Sequence, residues 1–238
     1  MAAPRAGVGR CANSPALRDD VMAMLTSPDD LGKVVAHVRS LGLEPREAER
    51  RWDHIGGVIV DASLQPRTKY KAVVLPRVRK VISQWPDAAV LSGFRRRLES
   101  DDLSDFLGWS PASRKLTVVA DLTAALHSLG IETVHELAAC YDGGDREQQT
   151  RRALRQVKGV GPKTVDYIAI LTGSTGHVAV DMHIAGFVRA AGAHSGDYRA
   201  LNALITRAAS ELGCSAGALD AAIWNYMSGR DRRGDTDA

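Results

Sequence analysis

The stretch "VKGVGPKTVDYIAIL", Val157 to Leu171, sets two lysines, two glycines and a proline in and ahead of an apolar run. "ALRQVKG" ends one short helix at Gly159. "PKTVDYIAIL" begins another, with Pro162 suited to a first turn, where its missing N–H is not needed. Between them lies "GVG", whose glycines admit positive φ and let another chain come close. Such a turn presents backbone N–H groups at a helix N-terminus, which is a ready anion site. Thr164 can add a hydroxyl there, and Lys158 or Lys163 a charge. Eighteen residues after Lys163 stands Asp181, in "VAVDMHI", placed to cap a helix "MHIAGFVRAAG".

The surroundings are helical almost throughout. In "DDLGKVVAHVRSLG" the apolar residues Leu31, Val34, Val35, Val38 and Leu41 recur at three-to-four spacing. "TKYKAVVLPRVRKVIS" repeats the pattern with Tyr70, Val73, Val74, Val78 and Ile82, and Pro76 should kink or divide that helix. Ser110-Pro111 reads as an N-cap and first-turn proline opening "ASRKLTVVADLTAALHSLG", closed by Gly130. "TVHE", Thr133 to Glu136, is a capping box. "ALDAAIWNYMS" is the last strong helix. The strand-like pieces "GGVIVDA" and "LTVVA" sit inside helical periodicity and are read as helix.

Composition bounds the chemistry loosely. The 238 residues suffice for one or two domains with a real core. A net charge of +3 permits an anionic partner without demanding one. No apolar run reaches the roughly 18 residues of a membrane helix, and the N-terminus lacks the apolar core of a secretory signal. Cys11, Cys140 and Cys214 lie far apart and form no CxxC pair. These features predict a reduced, cytoplasmic protein.

"VKGVGPKTVDYI…VAVDMHI" resembles the helix-hairpin-helix DNA glycosylases typified by endonuclease III (the HhH-GPD superfamily). Their signature is the hairpin, then a glycine/proline-rich loop and an aspartate. In bifunctional members a lysine follows the hairpin glycines, as Lys163 does here, and the aspartate comes at the spacing of Asp181. The match is specific over about 154–192 and weaker over roughly 30–228. "VIVDASLQPRTKYKAVV" is similar to the segment that enters DNA near the lesion, and "GWSPASRKLTVVADL" to a helix further along. One departure is plain: endonuclease III carries a four-cysteine iron–sulfur cluster, which three scattered cysteines cannot supply. The chain is closer to the clusterless branches, which include 8-oxoguanine glycosylases, so no cofactor and no metal is expected.

The resemblance implies an all-α fold of two helical lobes. A six-helix bundle over 51–173 would end in the hairpin, and 29–50 would join 174–229 in a second lobe. Residues 1–28 and 230–238 are expected to be disordered or mobile. Lys163 and Asp181 would meet at the cleft as the catalytic pair. A lysine nucleophile must be neutral, against a free pKa of about 10.4; desolvation and a helix N-terminus both favour that form. An ionised Asp181 would stabilise an oxocarbenium-like sugar. A helix of ten residues is about 15 Å long, and the nine-residue link "TGSTGHVAV" spans up to about 30 Å, so the link can run back and bring the two together.

Lys158, Gly159, Gly161 and Thr164 would hold DNA phosphate. Gln65, in "ASLQPRT", stands where related enzymes fill the hole left by a flipped base, though a helix-end glutamine fits as well. His183 is expected to pin a loop or core; Trp52, Trp109 and Trp224 to pack in the core or stack on a base; "FRRRLE" to form a solvated basic face. The implied function is a monomeric base-excision glycosylase acting on duplex DNA, with lyase activity through a Schiff base. A hairpin module that only binds DNA, with Lys163 on phosphate and Asp181 a mere cap, stays open. So does a monofunctional glycosylase using water activated by Asp181.

Overall fold

A computed structural model describes residues 26–47, 51–194 and 196–234, with side chains to 229. Among the described residues the chain is all-α, without strands. The helices are α1 (Pro28–Ser40), α2 (Ile55–Leu64), α3 (Leu75–Gln84), α4 (Leu91–Ser100), α5 (Leu103–Leu107), α6 (Arg114–Ser128), α7 (Val134–Ala139), α8 (Gly144–Gln156), α9 (Pro162–Leu171), α10 (Met182–Ala190), α11 (Tyr198–Glu211) and α12 (Ala216–Gly234).

Local chemistry accounts for most of the boundaries. Ser27, Asp102, Ser113, Asp181 and Asp197 each accept from a first-turn amide. Thr133 and Glu136 form the expected capping box at α7. Gly130, just past α6, takes φ +67° and ends that helix as expected. "GGVIVDA" and "LTVVA" are helical, within α2 and α6.

One expectation is corrected and others are sharpened. The cap of α6 is Ser113, not Ser110; the N–H of Ser113 bonds back to the Ser110 carbonyl, so Ser110-Pro111 starts a turn that delivers the helix three residues later. Pro76 divides its segment upstream of itself. The chain makes a π-turn over Tyr70–Val74, with the Leu75 N–H reaching the Tyr70 carbonyl, and α3 starts with proline at its second position. At the ends, α12 runs to Gly234, past the expected start of a tail at 230, because nothing in that run breaks a helix. Ser27 and Pro28 already belong to the start of α1. The disorder expected elsewhere in 1–28 and 230–238 concerns 1–25 and 235–238, which lie outside the described residues.

Every residue of α2 is buried. It packs against α3, α4, α6 and α9, which explains an apolar run without a polar stripe. The fit is close at Gly93, where a Cβ would lie 1.8 Å from the Asp87 carbonyl oxygen, so α4 lies directly on the 3-10 turn Pro86–Ala89. The buried apolar side chains form two clusters. One is drawn from Ile55 to Leu171 and includes Trp85, Phe94, Leu122 and Leu154. The other combines Val34, Val35 and Val38 of α1 with residues from Val178 to Ile223, including Phe187 and Leu204. No helix among the described residues is long and apolar enough to cross a membrane.

Candidate active site

A cavity of about 310 Å³ is lined by Lys163, Tyr167 and Leu171 of α9 and by Asp181 at the cap of α10. Trp52, Gln65 and Tyr70 from around α2 also face it, as do Asp220, Trp224 and Asn225 of α12. Its volume lies at the small end of the range for ligand pockets. Three further cationic residues, Arg51, Lys71 and Arg79, stand among the lining residues and are solvent-exposed.

The spacing of Lys163 and Asp181 closes as its chain lengths allow. After α9, the nine residues 172–180 return along the helix. Lys163 Nζ then lies 3.6 Å from Asp181 Oδ2, with the two side chains 28% and 11% exposed. The carboxylate divides its work between its oxygens. Oδ1 accepts from the amides of His183 and Ile184 at 2.9 and 3.2 Å, capping α10. Oδ2 is the oxygen turned to the amine. Lys163 also donates to Gln65 Oε1 at 3.2 Å. Gln65 therefore contacts Lys163 inside the cavity, at the C-terminal end of α2. The His183 ring sits edge-on to Trp224, with centroids 6.2 Å apart.

The aromatic wall is fixed from behind by a residue that sequence reasoning did not single out. Asp61 is fully buried and accepts from Trp52 Nε1 at 2.8 Å, Tyr70 OH at 2.9 Å and Tyr167 OH at 3.0 Å. Burial raises its carboxyl above the ordinary range, and the three donors pull against that rise. A signal was present: a carboxylate inside the apolar run "VIVDASL" must find donors if that helix is buried. Trp109 lies elsewhere, with Arg77 and Lys115 over its ring at 5.0 and 5.4 Å. In the basic run, Arg97 pairs with Asp87 at 3.1 Å and Arg95 bonds His127.

The "GVG" turn is built as its glycines demand in one place and freer than they demand in the other. Gly159 has φ +99° and needs to be glycine. Gly161, the N-cap of α9, has φ −95°, and a Cβ there would meet nothing within 4 Å. Nothing among the described residues therefore requires a glycine at 161. No side chain caps α9. Lys158 and Gly159 are exposed, whereas Thr164 is buried at 8% exposure beneath the turn.

No curated protein and no solved structure matches the chain. A family model described as "Domain of unknown function (DUF8548)" matches residues 31–228, and the protein belongs to that family.

Proposed function

We propose that the protein is a DNA glycosylase of the helix-hairpin-helix superfamily with associated lyase activity. The observation that carries this is the Lys163 amine 3.6 Å from Oδ2 of Asp181, the oxygen that does not cap α10, at an aromatic cavity. A phosphate-binding lysine requires no such carboxylate. The open turn at Gly161, beside exposed Lys158, supports close backbone approach to a phosphate.

In this reading a base flips from the duplex into the cavity. Asp181 stabilises positive charge as the N-glycosidic bond breaks, with the electron pair leaving on the base. Lys163 Nζ attacks C1′ through its lone pair and loses a proton to Asp181 Oδ2. The nitrogen lone pair then expels O4′, which takes up that proton from Asp181, and the opened sugar carries a protonated imine. Loss of a C2′ proton then expels the 3′ phosphate and cleaves the strand. Trp52, Tyr70 and Tyr167 offer faces for stacking a planar base.

Abasic-site DNA tests this without knowledge of the base. Borohydride should reduce the imine and leave protein covalently attached to the strand. Lys163→Gln should abolish trapping and cleavage while largely preserving binding. A wild-type protein that binds abasic DNA but is never trapped would make Lys163 a phosphate contact and the protein a binding module.

A further inference from the structure

A second cluster of charged groups lies on another face of α9, away from the cavity. Asp166, three residues after Lys163, is buried; its Oδ1 accepts from Arg151 Nη2 at 2.5 Å and its Oδ2 from Tyr198 OH at 2.5 Å. The same guanidinium uses Nε to donate to Glu147 Oε1 at 2.7 Å. Glu147 Oε1 also meets His177 Nε2 at 3.4 Å, and His177 Nδ1 meets Ser174 Oγ at 2.6 Å. Ser174 and His177 belong to the link 172–180 that ends at Asp181. The link is held again at Val178, whose carbonyl accepts from Asn202 Nδ2 at 2.9 Å.

Arg151 thus holds two strings at once. Through Asp166 it grips the helix that carries Lys163. Through Glu147 and His177 it grips the link that carries Asp181. We infer that Arg151 is a positioning residue: it touches neither member of the Lys163–Asp181 pair, yet its two-pronged bridge sets their separation.

The guanidinium suits this because its planar fork reaches two carboxylates in fixed directions, which an ammonium cannot do. Buried ion pairs add little net stability against apolar replacements, so specifying one geometry is a better account of this cluster than stability. Reacting groups displaced by about 1 Å can lose roughly a hundredfold in rate, which gives such a bridge leverage.

The inference rests on the glycosylase reading for its kinetic test but not for its structural one. Arg151→Lys keeps the charge and loses the fork. In single-turnover borohydride trapping on abasic-site DNA, it should lower the rate about tenfold in the parent. In an Asp181→Asn background it should change the rate less than twofold, because the partner it positions is already disabled. Equal losses in both backgrounds, or none in either, would overturn the inference.

Absence of wild-type trapping would instead remove the glycosylase reading, and a second measurement would then decide. Lysines reductively methylated with ¹³C keep their charge. The Lys163 resonance is identified by its loss in Lys163→Gln. At fixed pH its chemical shift should move in Arg151→Lys in the same direction as in Asp181→Asn; a resonance that stays at the parent's position would sink the idea. If Arg151→Lys fails to fold, Glu147→Gln, which weakens the same bridge, replaces it in both arms.

Discussion

Two faces of α9 carry charge in opposite manners. On the face toward α8 and α11, the carboxylates are engaged in short hydrogen bonds. Both Asp166 oxygens are taken at 2.5 Å, and Glu147 Oε1 takes Arg151 and His177 together. On the cavity face, Lys163 and Asp181 stand 3.6 Å apart, beyond hydrogen-bond length, and the amine donates to the Gln65 amide oxygen at 3.2 Å. Groups that hold a fold make their bonds in the resting state. Groups that act on a substrate must keep some for the transition state, since only interactions that strengthen there raise the rate. Under the proposed function, the cluster is the scaffold and the pair carries the chemistry.

The largest effect that can break this comparison is on the cavity face. Asp181→Asn keeps a side-chain oxygen for the amides of α10 but removes the charge opposite Lys163. Under the proposed function, base release should slow by roughly 10²-fold or more, the scale for losing one preorganised electrostatic group. The melting temperature should stay within a few degrees of the parent. A variant that melts far lower yet keeps its rate would exchange the roles of the two faces.

The cluster face should speak through stability and pH. Burial alone would raise the Glu147 carboxyl, but hydrogen bonds from His177 and Arg151 override it and hold the group down at about 2. The folded state therefore binds fewer protons than the unfolded chain between about 2 and the ordinary glutamate value of 4.5. This stabilisation is fully present above pH 4.5 and is lost as pH falls toward 2. Its size is about 3 kcal/mol from a shift of that scale, or several degrees of melting temperature in a chain this long. Glu147→Gln should melt lower than the parent at pH 7, and the two melting curves should converge by about pH 2. A constant gap across that range would remove the carboxylate as its source.

The smallest effect belongs to the turn at the mouth of α9. A Cβ at 161 meets nothing within 4 Å among the described residues, so Gly161→Ala should leave folding unchanged. If the turn receives phosphate, the added side chain should weaken duplex binding about tenfold for all sequences alike, the worth of one charge-assisted hydrogen bond. The salt dependence of binding should also flatten. Unaltered affinity would leave the glycine as a plain connector.

The elements of this protein were legible because their causes are local. Periodicity at three-to-four residues marks α1, with Val34, Val35 and Val38 buried as the pattern requires. Capping residues marked α7 and α10, and glycines with a proline marked the turn into α9. Chain reach permitted the meeting of Lys163 with Asp181 that the family resemblance implied, since a nine-residue return can run back along a ten-residue helix. Local rules failed where two sites satisfied them equally: Ser110 and Ser113 both qualify as caps, and Pro111 sends the first into a turn.

Only the tertiary structure decided which side chains share a space. Asp61 finds Tyr167 across 106 residues, and Gln65 finds Lys163 across 98. Arg151, one of three arginines in "TRRALRQ", gains a bridging place by facing α9 and the link beyond it at once. Helix and cap signals arise from neighbours along the chain, and one sequence displays them. Partners brought together by packing have no fixed spacing, so they appear only once the helices have been laid against one another.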